Sequence, residues 1–161
     1  MKIVMRKNIN KTILLALFMI CVMATLAGCK SNVAFTYTVN TGDTVTIECD
    51  VSDGLGFTPA LPFTVSEEKK QLAQGNFISL EGYDEYISIL GNAGDAATIY
   101  QEETVKDNLT YIFYTTKGES GVEHNYIIKI NDSKTALVLG SVGSKEAAEK
   151  AFNALKFSIV K

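Results

Sequence analysis

ATIYQEETVKDNLTYIFYTTKGESGVEHNYIIKINDSKTALVLGSV, residues 97–142, is the stretch whose reading decides the fold. It holds four segments rich in β-branched and aromatic residues: Ala97 to Val105, Thr110 to Thr116, Glu123 to Asn131 and Thr135 to Val142. Between them stand Lys106-Asp107-Asn108, Lys117-Gly118-Glu119-Ser120-Gly121 and Asn131-Asp132-Ser133-Lys134, composed largely of residues that turn a chain. Strands joined by connections this short lie antiparallel, because a parallel pair needs a crossover of a dozen residues or more. The stretch predicts an antiparallel meander.

Outward from the meander, the periodicity changes on both sides. On the C-terminal side, Ser144 is placed to cap a helix over Lys145 to Leu155. Its apolar stripe is Ala147, Ala148, Ala151, Phe152 and Leu155. Phe157 and Ile159 read as a last short strand. On the N-terminal side, Leu80, Tyr83, Ile87 and Leu90 share a helical face, and Gly91-Asn92-Ala93-Gly94 stops it. Phe77 to Ser79 reads as either the entry to that helix or the end of a strand. Ser66 to Gln74 reads as a short polar helix with Glu67 and Glu68 in its first turn, closed by Gly75-Asn76. Ser52 to Pro62, with Gly54, Gly56 and both prolines of the chain, reads as irregular.

Val33, Phe35, Tyr37 and Val39 alternate with polar or small residues, as do Val45, Ile47, Cys49 and Val51. Asn40-Thr41-Gly42-Asp43 between them makes a hairpin. The sum is a single α+β domain over 33–161, an antiparallel β-sheet with helices packed over one face. This order of elements, with Ala136-Leu137-Val138-Leu139-Gly140 ending the meander and Glu146-Ala147-Ala148-Glu149-Lys150 in the last helix, resembles the PsbP/Mog1-like α/β/α sandwich family. The resemblance is one of layout and implies no functional residues.

The first residues carry an address. Lys2, Arg6, Lys7 and Lys11 come without any acidic residue, and an apolar run follows from Thr12 to Ala27. That is the pattern of a secretory signal. It is shorter than the roughly 20 apolar residues of a spanning helix. Leu26-Ala27-Gly28-Cys29 then resembles the bacterial lipobox, with all four positions matching. The resemblance implies cleavage of 1–28 by a signal peptidase that recognises Leu26, Ala27 and Gly28. It also implies diacylglycerol on Cys29 and a location at the extracytoplasmic face of the cell membrane. Two acyl chains hold a protein durably where one does not. Residues 29–32 are the whole tether, a reach of roughly 10 Å when extended.

Removing 1–28 leaves 133 residues, enough for one core. Four basic residues leave with the signal, so 11 lysines face 18 acidic residues and the net charge becomes −7. An acidic chain without arginine excludes the phosphate neutralisation on which nucleic-acid binding rests. It also excludes an electrostatic grip on anionic lipid, so the lipid anchor must carry the membrane attachment. Cys49 has no partner left for a disulfide, and it falls on the apolar side of its strand as a small buried hydrophobe.

No catalytic or metal constellation emerges, and no cofactor is expected. His124, the only histidine, has no partner marked for acid–base or metal work and reads as a solvent-facing strand residue. Glu102 and Glu103 point to opposite sides of a strand. Glu48, Asp50 and Asp53 lack the spacing of a calcium loop and read as a solvated acidic face. Gly140-Ser141-Val142-Gly143-Ser144 lacks the length and the lysine of a phosphate loop. The tyrosines are more informative. Tyr111 and Phe113 share one face, Ile112 and Tyr114 the other, and Tyr126 falls on another strand position of the same half of the chain. A face left uncovered by helix would make Tyr111, Phe113, Tyr114 and Tyr126 a binding surface; a sheet covered on both sides would bury them. The expected role is a lipid-anchored, non-enzymatic accessory domain that binds a protein or envelope component. The alternative is a small-ligand module with a pocket between the sheet and residues 52–62, and a hydrolase is a distant third.

Overall fold

The computed structural model describes residues 31–118 and 121–160. Leu26, Ala27, Gly28 and Cys29 lie outside the described residues. In chain order the elements are β1 (Asn32–Thr38), β2 (Thr44–Asp50), β3 (Leu55–Thr58), β4 (Phe63–Glu67), β5 (Lys70–Ser79), α1 (Leu80–Asn92), β6 (Ala97–Lys106), β7 (Leu109–Gly118), β8 (Gly121–Ile130), β9 (Thr135–Ser141), α2 (Lys145–Asn153) and β10 (Leu155–Ile159). They form a single α+β domain with two antiparallel sheets, ordered β1-β2-β10 and β3-β4-β5-β9-β8-β7-β6.

The meander forms as its sequence predicts, with β6 to β9 paired in order. The first hairpin does too, with Phe35 opposite Ile47 and Tyr37 opposite Val45. Helix α1 starts at Leu80, where the Ser79 hydroxyl accepts a hydrogen bond from Gly82 N–H. In α2 the Ser144 hydroxyl accepts from Ala147 N–H at 3.2 Å. That helix ends two residues before the expected Leu155, which instead pairs with Cys49 as β10 begins.

The expected helix over Ser66 to Gln74 is a β-hairpin. Glu68 and Lys69 form its turn at φ 47° and 70°, the left-handed pair that matches the twist of two antiparallel strands. The Glu-Glu-Lys-Lys run favours a helix locally, but strand pairing places Phe63, Val65, Leu72 and Ala73 in the core, each 6% exposed or less. Tertiary burial outweighs the local preference. Gly75 is therefore no helix stop. Phe63 packs its ring across it, and a Cβ there would lie 2.2 Å from Phe63 Cζ. Part of the stretch expected to be irregular, Leu55–Thr58, is an edge strand.

The helices do not share one face. Alternation along β7, β8 and β9 divides the seven-stranded sheet into two interfaces. On one side α2 and the three-stranded sheet cover Tyr111, Phe113, Tyr126, Ile128, Leu137 and Leu139, with Val45, Ile47, Cys49 and Phe157 opposite. On the other, α1 lays Tyr83 and Ile87 over Ile112, Ile127 and Ala136. Both helices and the second sheet are needed because each face of the meander is apolar.

Candidate functional site

The four aromatics considered as a binding surface are buried: Tyr111 is 6% exposed, Phe113 2%, Tyr114 4% and Tyr126 3%. On the α2 face they form a stack. Phe113 and Tyr126 lie 4.2 Å apart and nearly parallel, as do Tyr126 and Phe152, and Tyr111 tilts against Phe152 at 4.8 Å. Burial holds the Tyr126 hydroxyl well above its ordinary pKa. These three belong to the core, because α2 closes over them. Tyr114 points the other way, into the core cluster under α1, and reaches the edge of a groove.

His124 is also misplaced by the sequence reading. It sits on an inner strand of the sheet and is 9% exposed, with Nδ1 buried and without a hydrogen-bond partner. Tyr100 stacks on its ring, and Lys145 Nζ lies 4.6 Å from the centre of the Tyr100 ring. Cys49 is fully buried as expected; burial first, and the neighbouring Asp50 carboxylate second, push its thiol up to about 11. Burial in the core cluster fits Cys49 to a packing role. Glu48 accepts from Asn32 Nδ2, and Asp50 accepts from Ser52 N–H at 3.0 Å. Among the described residues no three His, Cys, Asp or Glu side chains gather where a metal ion could be held.

A candidate site instead lies on the α1 face, beyond the part of the sheet that α1 covers. One row of residues crosses four strands in register: Gln74 on β5, Gly140 on β9, Asn125 on β8 and Tyr114 on β7. Gly140 makes the floor. A Cβ at that position would lie 2.7 Å from Asn125 Oδ1, so the missing side chain is what gives the Asn125 amide its place. Asn125 Nδ2 donates to Thr116 Oγ1 at 3.3 Å, which fixes the amide's orientation. Asn76 follows Gln74 along β5, Glu123 pairs with Thr116 beside Asn125, and Tyr86 of α1 stands at the rim, 38% exposed. Pro62 closes one border. The groove encloses about 450 Å³, within the range of small-ligand sites. Burial first, then Tyr86 and Glu123, push the Tyr114 hydroxyl up to about 12, so it stays a neutral donor at physiological pH.

A second cavity of about 530 Å³ lies between the β1–β2 turn, Leu61, the end of β5 and Lys134. Polar side chains in it (Thr41, Asn76, Ser79) and beside it (Asp43, Thr135) are already engaged with the protein. Asp43 accepts from Lys134 N–H at 2.7 Å and from Thr135 Oγ1 at 2.8 Å, Thr41 bonds Thr135, Asn76 accepts from Phe77 N–H, and Ser79 caps α1. That network ties the hairpin to the large sheet. The smaller groove is the better site because Gln74, Asn125 and Tyr114 converge on it along one register row of the sheet.

Sequence reading missed Gln74, Asn76, Tyr86, Glu123, Asn125 and Gly140. Only Gly140 left a signal, since a glycine inside a strand marks a close approach. Compared with models of known protein families and with curated protein sequences, the chain matches none.

Proposed function

We propose that this chain is a lipid-anchored extracytoplasmic binding domain without catalytic machinery, which holds an envelope component in the groove floored by Gly140. The observation that carries the reading is the groove itself, a concave surface with convergent polar side chains on a rigid sheet. It joins the sheet to Pro62, where the small-ligand alternative expects a pocket, although its lining is more polar than that alternative requires. The anchor rests on the lipobox pattern Leu26-Ala27-Gly28-Cys29. Regular structure begins close behind it: the Ser31 carbonyl accepts from Val51 N–H at 2.9 Å, and β1 starts at Asn32. A domain fixed this near its lipid works within a few nanometres of the bilayer.

A protein partner is the second reading, favoured by β6. This edge strand exposes Ile99 (46%) and Val105 (68%), and the edge of a sheet can accept another strand. Two register shifts between Ile99 and Thr104, together with Glu102 and Glu103, interrupt the ladder a partner strand would need. The groove is therefore preferred. The test is Cys29→Ala, with cell fractionation and intact mass. The wild type should sit in the membrane fraction with acyl chains on Cys29, and the variant should lose both the chains and stable attachment. A wild-type chain found unprocessed and without lipid contradicts the anchor.

A further inference from the structure

We infer that the groove takes a neutral polyhydroxylated ligand, a short saccharide; this deepens the binding-domain reading and rests on it. The argument is one of donor and acceptor chemistry. Gln74, Asn76 and Asn125 each carry an amide. Gln74 offers donors and an acceptor, Asn76 keeps its N–H donors while its Oδ1 accepts from Phe77 N–H, and Asn125 keeps its Oδ1 acceptor while its Nδ2 donates to Thr116. Tyr114 and Tyr86 add hydroxyls that do both. A sugar presents the same duality at every hydroxyl group, and few other neutral ligands do.

Competing ligands fit less well. Among the described residues no lysine or arginine lines the groove, so a phosphate or carboxylate would enter unpaired and lose hydration without recompense. An amine would meet, among the described residues, one carboxylate, Glu123, and several N–H and O–H donors that oppose it. A purely apolar ligand would strip water from three amides. The geometry adds to the chemistry. Asn125 is 8% exposed and oriented by Thr116, so it enters binding already ordered. Tyr86 stands at the rim with part of its surface free, an amphipathic side chain on which the apolar face of a sugar ring can rest. A single carboxylate beside the amides supplies a strong acceptor for a vicinal pair of hydroxyls.

The test uses the full-length protein in detergent micelles, probed first on an array of neutral and charged glycans and then by calorimetry with the best glycan, inorganic phosphate and spermidine. The expected result is one neutral oligosaccharide bound per chain. Gln74→Ala and Tyr86→Ala should each weaken it about tenfold with the melting temperature unchanged. Asn125→Asp, which keeps shape but replaces donors with charge, should also weaken it. Binding to no neutral glycan, preference for phosphate or spermidine, or affinity unmoved by the groove variants overturns the assignment. Capture of envelope fragments on the same protein separates the two levels. Fragments held by wild type and lost by Tyr86→Ala, with no neutral glycan bound, overturn the ligand class alone. Fragments held by neither form overturn the binding-domain reading as well.

Discussion

The two faces of the seven-stranded sheet differ in how completely they are covered. On the α2 face a helix and a second sheet close over Tyr111, Phe113 and Tyr126, and the aromatic stack runs from the sheet into the helix through Phe152. On the α1 face one helix covers a smaller cluster that includes Tyr114, and leaves Gln74 and Gly140 open beside the buried Asn125. The first face stays covered to its end, where the polar His124 and Ser141 are still buried, 9% and 3% exposed. The second changes from apolar to amide and hydroxyl within the same strands, as Ile127 gives way to Asn125 and Val138 to Gly140. A sheet sealed on one side can hold a polar hollow on the other, because the sealed side supplies the stability and the rigidity the hollow needs.

The sharpest break of that comparison is Phe152→Ala. Phe152 touches both Tyr111 and Tyr126 and is 6% exposed, so its loss opens a cavity between α2 and the sheet. A fall of about 3–5 kcal/mol in unfolding free energy by urea titration is expected. A drop below about 1 kcal/mol would show that the α2 face is not the stabilising one. Gly140→Ala strikes the other face. The new methyl meets Asn125 Oδ1, which must turn away, and a cost of about 1–2 kcal/mol accompanies a filled groove. Envelope capture should fall further than stability does.

A smaller effect comes from the helix starts, one on each face. The Glu81 carboxyl is held below its ordinary pKa of 4.5 by the Ser79 hydroxyl and then by its own backbone N–H. Glu146 is held low first by its own backbone N–H and then by the Ser144 hydroxyl. A folded pKa below the unfolded one means stabilisation that is complete above the ordinary value and lost as pH falls through the depressed one. Melting temperature should therefore decline as pH drops below about 4.5. Glu81→Gln with Glu146→Gln should flatten that decline slightly, since both groups are exposed. An unchanged slope would remove these carboxylates from the helix starts' electrostatics.

Much of this frame was legible in the residues. The meander, the first hairpin, the capped helix α2 and the apolar face of α1 follow from turn chemistry and period, which are local properties. The hairpin at Glu68-Lys69 was not, because four charged residues in a row imitate the first turn of a helix and the deciding contact, Phe63 over Gly75, joins residues twelve positions apart. The side each helix takes was equally hidden, since alternation shows that both faces of β7 are apolar without showing what covers them. For the same reason Tyr111, Phe113, Tyr114 and Tyr126 were candidates for a surface and proved to be core. The groove was the least legible feature. Gln74, Asn125 and Tyr114 become neighbours only through the register of β5, β9, β8 and β7, and each alone reads as an ordinary strand residue.

The most direct test of the division between a sealed face and a binding face is Tyr86→Ala, followed by melting temperature and envelope capture on the same preparation. Tyr86 is exposed at the groove rim and contributes little to the core, so the account predicts a melting temperature within about 2 °C of wild type, a stability change below about 0.5 kcal/mol, and loss of most captured material. Unchanged capture with unchanged stability would contradict the account, because the open face would then be no more than a surface that α1 fails to reach.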